Sequence, residues 1–251
     1  MKNYLLVCGV AATLSPAALA GIEIGDTLEL IHIDANPSRA ITYDYDGSRA
    51  WDAPSTNADG TFGQAGINNF EFCQGFGNLQ AFCVEVSEGF NDGCLQYDVV
   101  PFGDVPEEVP PGPMNLNASK MVLIQDLYSK NYASTMDGSG SIQDWANRAA
   151  AFQLVVWEIS HENIDGSDVS TGMMELNLEL GAFQVVDFYN AEVMDLAQAM
   201  IDGLGVGGFG VMSNLLGLHS ETNQDMLIVV PSPAIAGLAG LGLVGLRRRR
   251  R

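Results

Sequence analysis

The sequence predicts an α+β fold, and three observations predict it. Residues 21–33 alternate apolar and polar side chains, which is the two-residue period of a half-buried strand. Two long segments in the middle of the chain repeat apolar residues at helical spacing. The run 223–230, NQDMLIVV, has the composition of a final strand. Strands on both sides of a helical middle indicate an α+β domain that is β-rich at its amino-terminal end.

The amino-terminal third is predicted to contain several strands. GIEIGDTLELIHI, residues 21–33, forms a first strand, and AITYDYDG, residues 40–47, forms a second that ends in a turn. Residues 52–69 are rich in Gly, Asn, Asp and Ser and predict a long loop. Two strand-like runs, NFEFCQGF and LQAFCVEVS, follow this loop. The proline-rich segment 101–115 is expected to be extended and to separate the β part from the helices.

Three helices are predicted after the proline-rich segment. The first, residues 117–133, has Asn117 as a cap, and the second, residues 141–162, has Ser141 as a cap. The third, residues 187–205, ends at glycines.

The amino terminus has the layout of a signal peptide. Lys2 precedes an apolar run, and Ala18-Leu19-Ala20 has the small residues of a signal-peptidase site. We expect cleavage after Ala20, so that residues 1–20 are the signal peptide and Cys8 is lost with it.

The carboxyl terminus, residues 231–251, has the layout of a sorting tail. Pro231-Ser232-Pro233 precedes a short apolar segment, residues 234–246, and five arginines. The apolar segment is shorter than the ~20 residues that cross a bilayer comfortably, so a transient membrane anchor is expected. A permanent single-pass anchor and a basic tail that binds nucleic acid are the alternatives.

The exported part, residues 21–230, is strongly acidic. It contains all 31 acidic residues of the chain and only these basic ones: Arg39, Arg49, Lys120, Lys130 and Arg148. This balance argues against binding to nucleic acids or anionic membranes and favours a well-solvated surface, association with divalent cations or a saline habitat.

Cysteine and glutamine carry the chemistry. Without the signal peptide, three cysteines remain, so one thiol is left over or otherwise engaged. Cys83 differs from the other two because it lies in a strand-like run, AFCVEV. Gln153 lies on the apolar stripe of the second helix, where an unpaired amide would cost about 1–3 kcal/mol. A thioester between a buried thiol and a buried glutamine, formed with loss of ammonia, would satisfy both residues. The alternative is that Gln153 hydrogen-bonds to the backbone and that Cys83 is a small buried side chain or a disulfide partner.

One pair of motifs and the carboxyl-terminal tail resemble known families. Phe82-Cys83-Val84, followed by FQLVVW at residues 152–157, resembles the signatures of the Cys-Gln thioester domains of bacterial surface adhesins. The tail resembles the PEP-CTERM sorting signal, which an exosortase processes, with serine where that family usually has glutamate. The first resemblance implies a thioester-domain-like fold, a Cys83–Gln153 bond and Trp157 packed beneath it. Cys73 and Cys94 then remain to form a disulfide around the Cys83 strand.

These resemblances predict an exported surface or extracellular-matrix protein. Its act would be a single covalent attachment to an amine on a partner surface or in a polysaccharide matrix, without cofactor or metal and without catalytic turnover. A structural matrix protein of the same fold without the bond is the alternative.

A cysteine hydrolase that pairs Cys83 with His161 is a third class, although His161 at a helix end favours a solvated imidazole. His32 and His219 are isolated in the sequence and, with His161, lack metal-ligand spacing. Residues 44–47 and 163–168 resemble calcium loops but are interpreted as Asp-Gly turns.

Overall fold

The computed structural model describes residues 21–57, 59–75, 77–86, 88–106, 116–164, 168–188 and 190–231, except for the side chains of residues 187 and 188. The predicted signal peptide and all of the sorting tail after Pro231, including Ser232 and Pro233, lie outside these ranges. The described part confirms the α+β class, because it combines an antiparallel sheet with four helices.

Seven strands form one sheet, and three of the four described helices lie between its fourth and fifth strands in the sequence. The strands are β1 Thr27–Tyr45, β2 Thr61–Phe72, β3 Asn78–Cys83, β4 Leu95–Pro101, β5 Phe183–Phe188, β6 Leu215–His219 and β7 Met226–Val229. The helices are α1 Ala118–Met136, α2 Ile142–His161, α3 Val169–Met174 and α4 Ala191–Asp202, and a short 3-10 helix spans Phe102–Asp104.

The sheet closes on itself through β1. Its hydrogen-bonded order is β2-β3-β7-β6-β4-β1-β5, and β1 pairs with β2 as well. The 19-residue β1 is long enough to do this, because its first residues pair with β4, its middle with β2 and its last residues with β5. All of these pairings are antiparallel. Six of the strands therefore form a closed circuit of hydrogen bonds, with β5 at its side.

Two predictions about the amino-terminal third are wrong. The two predicted strands within residues 21–47 are one strand, β1, which continues through shifts of register near residues 32–38. The predicted loop 52–69 contains most of β2. Ala65, Ile67 and Phe70 of β2 are buried, and one of its glycines has a packing reason that composition does not show.

Gly66 shows such a reason. A Cβ placed on Gly66 would lie 2.6 Å from both Cα and Cβ of Ser38 on the neighbouring strand. Because backbone atoms block that space, only glycine lets β1 and β2 approach this closely.

The helix caps agree with the sequence. The Asn117 side chain accepts a hydrogen bond from Lys120 N at 3.0 Å, and Ser141 forms a reciprocal capping box with Asp144. The third predicted helix begins later than expected, at Ala191 with Asn190 as its cap, because residues 187 and 188 pair with β1 as part of β5. Tertiary pairing overrides helix propensity there.

Helix α2 is the centre of the domain. It contacts α1, α4 and the strands β1, β2, β3 and β5, and every residue from 149 to 161 is buried. A helix that is buried on all sides has no face for water, so each of its polar side chains needs a partner within the protein. Within the described ranges, no helix is both long enough and apolar enough to cross a bilayer.

Replacing Gly66 by alanine is expected to destabilise the domain by about 1–3 kcal/mol, because the new Cβ forces β1 and β2 apart. Gly89→Ala is the matched control, since a Cβ there meets nothing within 4 Å. The urea-unfolding midpoints of both variants measure the effect. Equal midpoints would contradict the close approach of the two strands.

Candidate functional site

The Gln153 side chain binds the backbone of Cys83. Gln153 Oε1 accepts a hydrogen bond from Cys83 N at 3.0 Å, and Gln153 Nε2 donates to Cys83 O at 2.7 Å. Both residues are buried, with exposed fractions of 0% for Gln153 and 2% for Cys83. The structure therefore brings together the two residues that the sequence selected, across 70 positions of the chain.

Gln153 takes the place of a strand partner. The pairing of β2 with β3 ends at Asn68 and Ala81, two residues before Cys83. On the other side of the strand, Val84 N donates to Asp225 O at 3.0 Å, so β7 satisfies that edge. The N–H and C=O of Cys83 face the side that β2 has left, and the glutamine amide supplies one acceptor and one donor to them.

The Cys83 thiol has hydrogen bonds of its own. Asn68 Nδ2 donates to Sγ at 3.0 Å, and the thiol donates to Gln224 Oε1 at 2.9 Å. Burial raises the pKa of the thiol well above its ordinary value, and the nearby Glu85 charge raises it further. The hydrogen bond from Asn68 lowers it. The sulfur is therefore a protonated thiol at neutral pH, with one N–H group already directed at it.

One stripe of α2 holds the segment after β3. Gln153 binds Cys83, Trp157 Nε1 donates to Glu85 O at 2.9 Å, and Ser160 Oγ donates to Val84 O at 2.9 Å. These helix positions are four and then three residues apart, so they lie on one face of the helix. Helix α2 thereby fixes three consecutive backbone residues, and Trp157 has a polar role beyond the predicted packing.

Aromatic side chains fill the space beside the site. Phe82 packs against Phe152, with ring centroids 4.6 Å apart, and Tyr128 packs edge-on against Phe152 at 4.9 Å. Phe82 is 1% exposed. These rings exclude water from the side of the strand opposite Cys83.

Two loops cover the sulfur. Asn91 N donates to Asn223 Oδ1 at 3.0 Å, Asn91 Nδ2 donates to Thr222 O at 2.9 Å, and Gln224 N donates to Gly89 O at 3.1 Å. We call residues 88–91 and 220–225 the cover. Since Gln224 also receives the thiol hydrogen bond, the cover and the sulfur are directly connected.

The predicted disulfide is confirmed. Cys73 and Cys94 are bonded, with their Cα atoms 6.0 Å apart, and Cys83 is free and buried. The bridge joins the end of β2 to the start of β4 and encloses β3 in its loop. Cys83 is therefore the cysteine available for other chemistry.

The prediction of a solvated His161 is wrong. His161 is 2% exposed, and its Nδ1 lies 2.8 Å from Ser160 Oγ and 3.1 Å from Trp157 O. Burial lowers the pKa of His161 to about 3, so the imidazole is neutral. Its Nε2 has no hydrogen-bond partner among the described residues. The imidazole therefore lacks the hydrogen bond to Cys83 that a nucleophile and its base require.

His32 is not isolated in the fold. Its Nε2 lies 3.1 Å from Asn68 Oδ1, and Asn68 contacts the Cys83 sulfur. His219 Nδ1 lies 3.2 Å from the carboxylate of Asp225, in the cover.

Buried ionisable groups that the sequence predictions do not include lie at the end of α2. Lys120 Nζ donates to Ser160 O at 2.8 Å, and burial lowers the pKa of Lys120 to about 8. Burial raises the pKa of Glu162 to about 7 and that of Glu158 well above its ordinary value. The Glu162 carboxylate accepts from Asn163 N and Ala182 N, both at 2.8 Å, and so fixes the segment before β5. The signal was the pair of acids, Glu158 and Glu162, four residues apart in a segment that is otherwise largely apolar.

The predicted turns are used internally. Asp44 forms an ion pair with Arg49 at 2.9 Å, and Asp168 caps α3. Residues 165–167 lie outside the described ranges. Among the described residues, no group of three or more His, Cys, Asp or Glu side chains could hold a metal ion.

Asn68 and Gln224 are the site residues that sequence reasoning missed. Gln224 had a signal like that of Gln153, since it is an amide two residues before the buried apolar run that starts at Met226. Asn68 had none, because its strand was predicted to be a loop. Comparison of the chain with protein-family models, with curated proteins and with solved structures finds no match.

Gln153→Met is expected to destabilise the domain by about 2–6 kcal/mol, because methionine leaves both the N–H and the C=O of Cys83 buried without partners, at about 1–3 kcal/mol each. Gln143→Met, at an exposed position of the same helix, is the control. Urea unfolding at neutral pH measures both variants. A Gln153→Met variant as stable as its control would contradict the pairing.

Glu162 predicts a pH dependence of stability. Its pKa is raised from 4.5 to about 7, so the folded state holds a proton that the unfolded state releases. Its contribution is therefore complete below pH 4.5 and is lost as the pH rises through about 7. The free energy of unfolding of the wild type, minus that of Glu162→Gln, should fall between about pH 5 and pH 7.5. A difference that does not change with pH would show that Glu162 does not titrate in this way.

Proposed function

We propose that this protein forms an internal thioester between Cys83 and Gln153 and uses it for a single covalent attachment to an amine. The observation that carries the proposal is the Gln153 amide held across the backbone of the one free, buried cysteine in the described chain.

Formation of the thioester exchanges sulfur for nitrogen at the side-chain carbonyl carbon of Gln153. The Cys83 sulfur bonds to Cδ, the bond from Cδ to Nε2 breaks, and the thiol proton leaves with Nε2 as ammonia. Negative charge develops on Oε1 during the attack, and Cys83 N already donates a hydrogen bond to that atom at 3.0 Å. This donor supports the reaction as an oxyanion donor does, because it is in place before the charge develops.

Burial supports the survival of the bond. Cys83 and Gln153 have exposed fractions of 2% and 0%, so water has little access to the acyl carbon. The same burial raises the pKa of the thiol, and the donor Asn68 Nδ2 offsets part of that cost at the sulfur.

Attachment is a second acyl transfer at the same carbon, in which the sulfur is the leaving group. An amine on a partner attacks Cδ, a new amide bond joins the partner to the former Gln153, and the sulfur leaves and takes up a proton as the Cys83 thiol. The amine must pass the cover, residues 88–91 and 220–225. An amine on a partner that displaces the cover would therefore reach the thioester more readily than water reaches it while the cover is in place. This chemistry suits a lysine or a polyamine on a surface or in an extracellular polysaccharide matrix.

The setting of the reaction is proposed from the two ends of the chain. A signal peptide of residues 1–20 exports the protein, and the tail, residues 231–251, anchors it transiently in the membrane until an exosortase-type enzyme processes it. The acidic exported part suits a cell-surface or matrix protein and does not suit nucleic-acid binding.

A structural matrix protein without the bond is the second candidate. One observation favours it: the Gln153 amide is already satisfied by the Cys83 backbone, so it is stable without reacting. The two candidates differ in whether ammonia has been lost.

The intact mass of the purified mature protein tests the proposal. We expect the wild type to be lighter than its disulfide-bonded chain by one ammonia, and methylamine to add to it with release of the thiol. Gln153→Met should show neither change. Gln224→Met is the matched control, because Gln224 also contacts the sulfur but should leave the ammonia loss intact. A wild-type mass equal to that of the plain disulfide-bonded chain would leave the structural matrix function instead.

A further inference from the structure

We propose that His32 acts through Asn68 as a positioning residue for the Cys83 sulfur. This inference rests on the proposed thioester and adds to it two residues that act on the same sulfur atom. A chain of hydrogen bonds runs from the half-buried imidazole of His32 to the Cys83 thiol.

The chain has two contacts. His32 Nε2 lies 3.1 Å from Asn68 Oδ1, and Asn68 Nδ2 donates to Cys83 Sγ at 3.0 Å. Asn68 is buried, with 5% of its surface exposed, whereas His32 is half-buried. Asn68 therefore separates the sulfur from the imidazole and contacts both.

His32 determines which end of the Asn68 amide faces the sulfur. When Nε2 carries a proton, it donates to Oδ1, and the NH₂ group of Asn68 must then point at Sγ. When Nε2 has no proton, the rotated amide donates to the imidazole and presents its oxygen to the sulfur instead. An N–H group stabilises negative charge on sulfur, and an oxygen destabilises it.

The imidazole itself is held in place. It stacks on Phe90, with ring centroids 4.1 Å apart and an interplanar angle of 19°, and it tilts against Phe70 at 5.2 Å. This packing keeps Nε2 directed at Asn68, so the protonation state of Nε2 determines which end of the Asn68 amide contacts the sulfur. Phe90 also directly precedes Asn91, which binds the other loop of the cover.

Negative charge on Sγ appears in both steps of the proposed chemistry. The sulfur attacks Gln153 as a thiolate-like nucleophile, and it leaves as a thiolate when an amine opens the thioester. The N–H of Asn68 stabilises the charge in each case. Protonated His32 makes this donor obligatory, so the thioester should open faster, per free amine, as the pH falls through the pKa of His32.

Several other charged or titratable groups face the two residues. Glu85 and the hydroxyls of Tyr97 and Tyr128 lie near the Cys83 sulfur, and Asp34 lies near His32. On the side of the cover, Asp225 pairs with His219. Burial lowers the pKa of His32, while the Asn68 hydrogen bond and Asp34 oppose that shift. Because His32 variants leave all the other groups unchanged, comparison with the wild type isolates the imidazole.

The experiment follows the rate of methylamine incorporation by intact mass, over a range of pH, with the rate expressed per free amine. His32→Gln keeps an N–H donor near the Nε2 position but does not titrate. It should show no step with pH, because its amide offers Asn68 the same donor and acceptor at every pH. His32→Phe keeps the stacking on Phe90 and loses the donor, and should react about tenfold more slowly than the wild type at low pH, as expected for one lost hydrogen bond to a charged group.

A double variant adds a readout that a purely structural role would not give. If His32 acts only through Asn68, then His32→Phe should slow the Asn68→Leu protein no further. An additional slowing equal to that in the wild type would overturn the connection through Asn68.

The outcomes separate the two proposals. A wild type without the ammonia loss overturns the thioester, and this inference with it. A wild type that has lost ammonia, together with a His32→Phe variant that reacts at the wild-type rate, overturns only the role of His32. If His32→Phe does not fold, the comparison of His32→Gln with the wild type decides, and identical pH profiles overturn the inference.

Discussion

The rest of the structure depends on the pairing of the Gln153 amide with the backbone of Cys83. It joins the central helix to the sheet where β2 leaves β3, and without it two backbone groups would be buried without partners. A glutamine serves here because its amide carries one acceptor and one donor, as a strand residue does. The same geometry that completes the sheet places a carbonyl carbon beside a thiol-bearing residue. The proposed reaction keeps the hydrogen bond from Cys83 N to Oε1 but gives up the one to Cys83 O, because Nε2 leaves as ammonia.

Helix α2 shows how much polarity a buried element can carry when every group has a role. Gln153, Trp157 and Ser160 bind the chain after β3, while Glu158 and Glu162 bind backbone N–H groups before β5. Such a helix gains little from a simple division into apolar and polar faces. Its polar groups instead fix two connecting segments, the one that follows β3 and the one that precedes β5.

The sequence could predict what is periodic or local, and it could not predict what is long-range. The capped helices α1 and α2 were correct because asparagine and serine act on residues three positions away. Most of strand β2 was predicted to be a loop because it contains glycine and asparagine. Gly66 is there to allow a close contact with β1, and the sequence around it does not distinguish this from a loop glycine. Cys83 and Gln153 could be chosen because each was a polar group in an apolar run. Asn68 and His32 could not, since their significance arises only when β1, β2 and β3 lie side by side.

The closed circuit of strands has a consequence for how the chain folds. β1 is made first, yet its partners are β2, β4 and β5, and its last residues pair with positions 183–188. Strand β3 also pairs with a strand that is distant in the sequence, since Phe82 pairs with Leu227 of β7. These contacts give the domain a high contact order, which is associated with slow folding. The two ends of β1 therefore lack their β4 and β5 partners until the later strands are in place, and the mutual repulsion of the many carboxylates opposes aggregation during that interval.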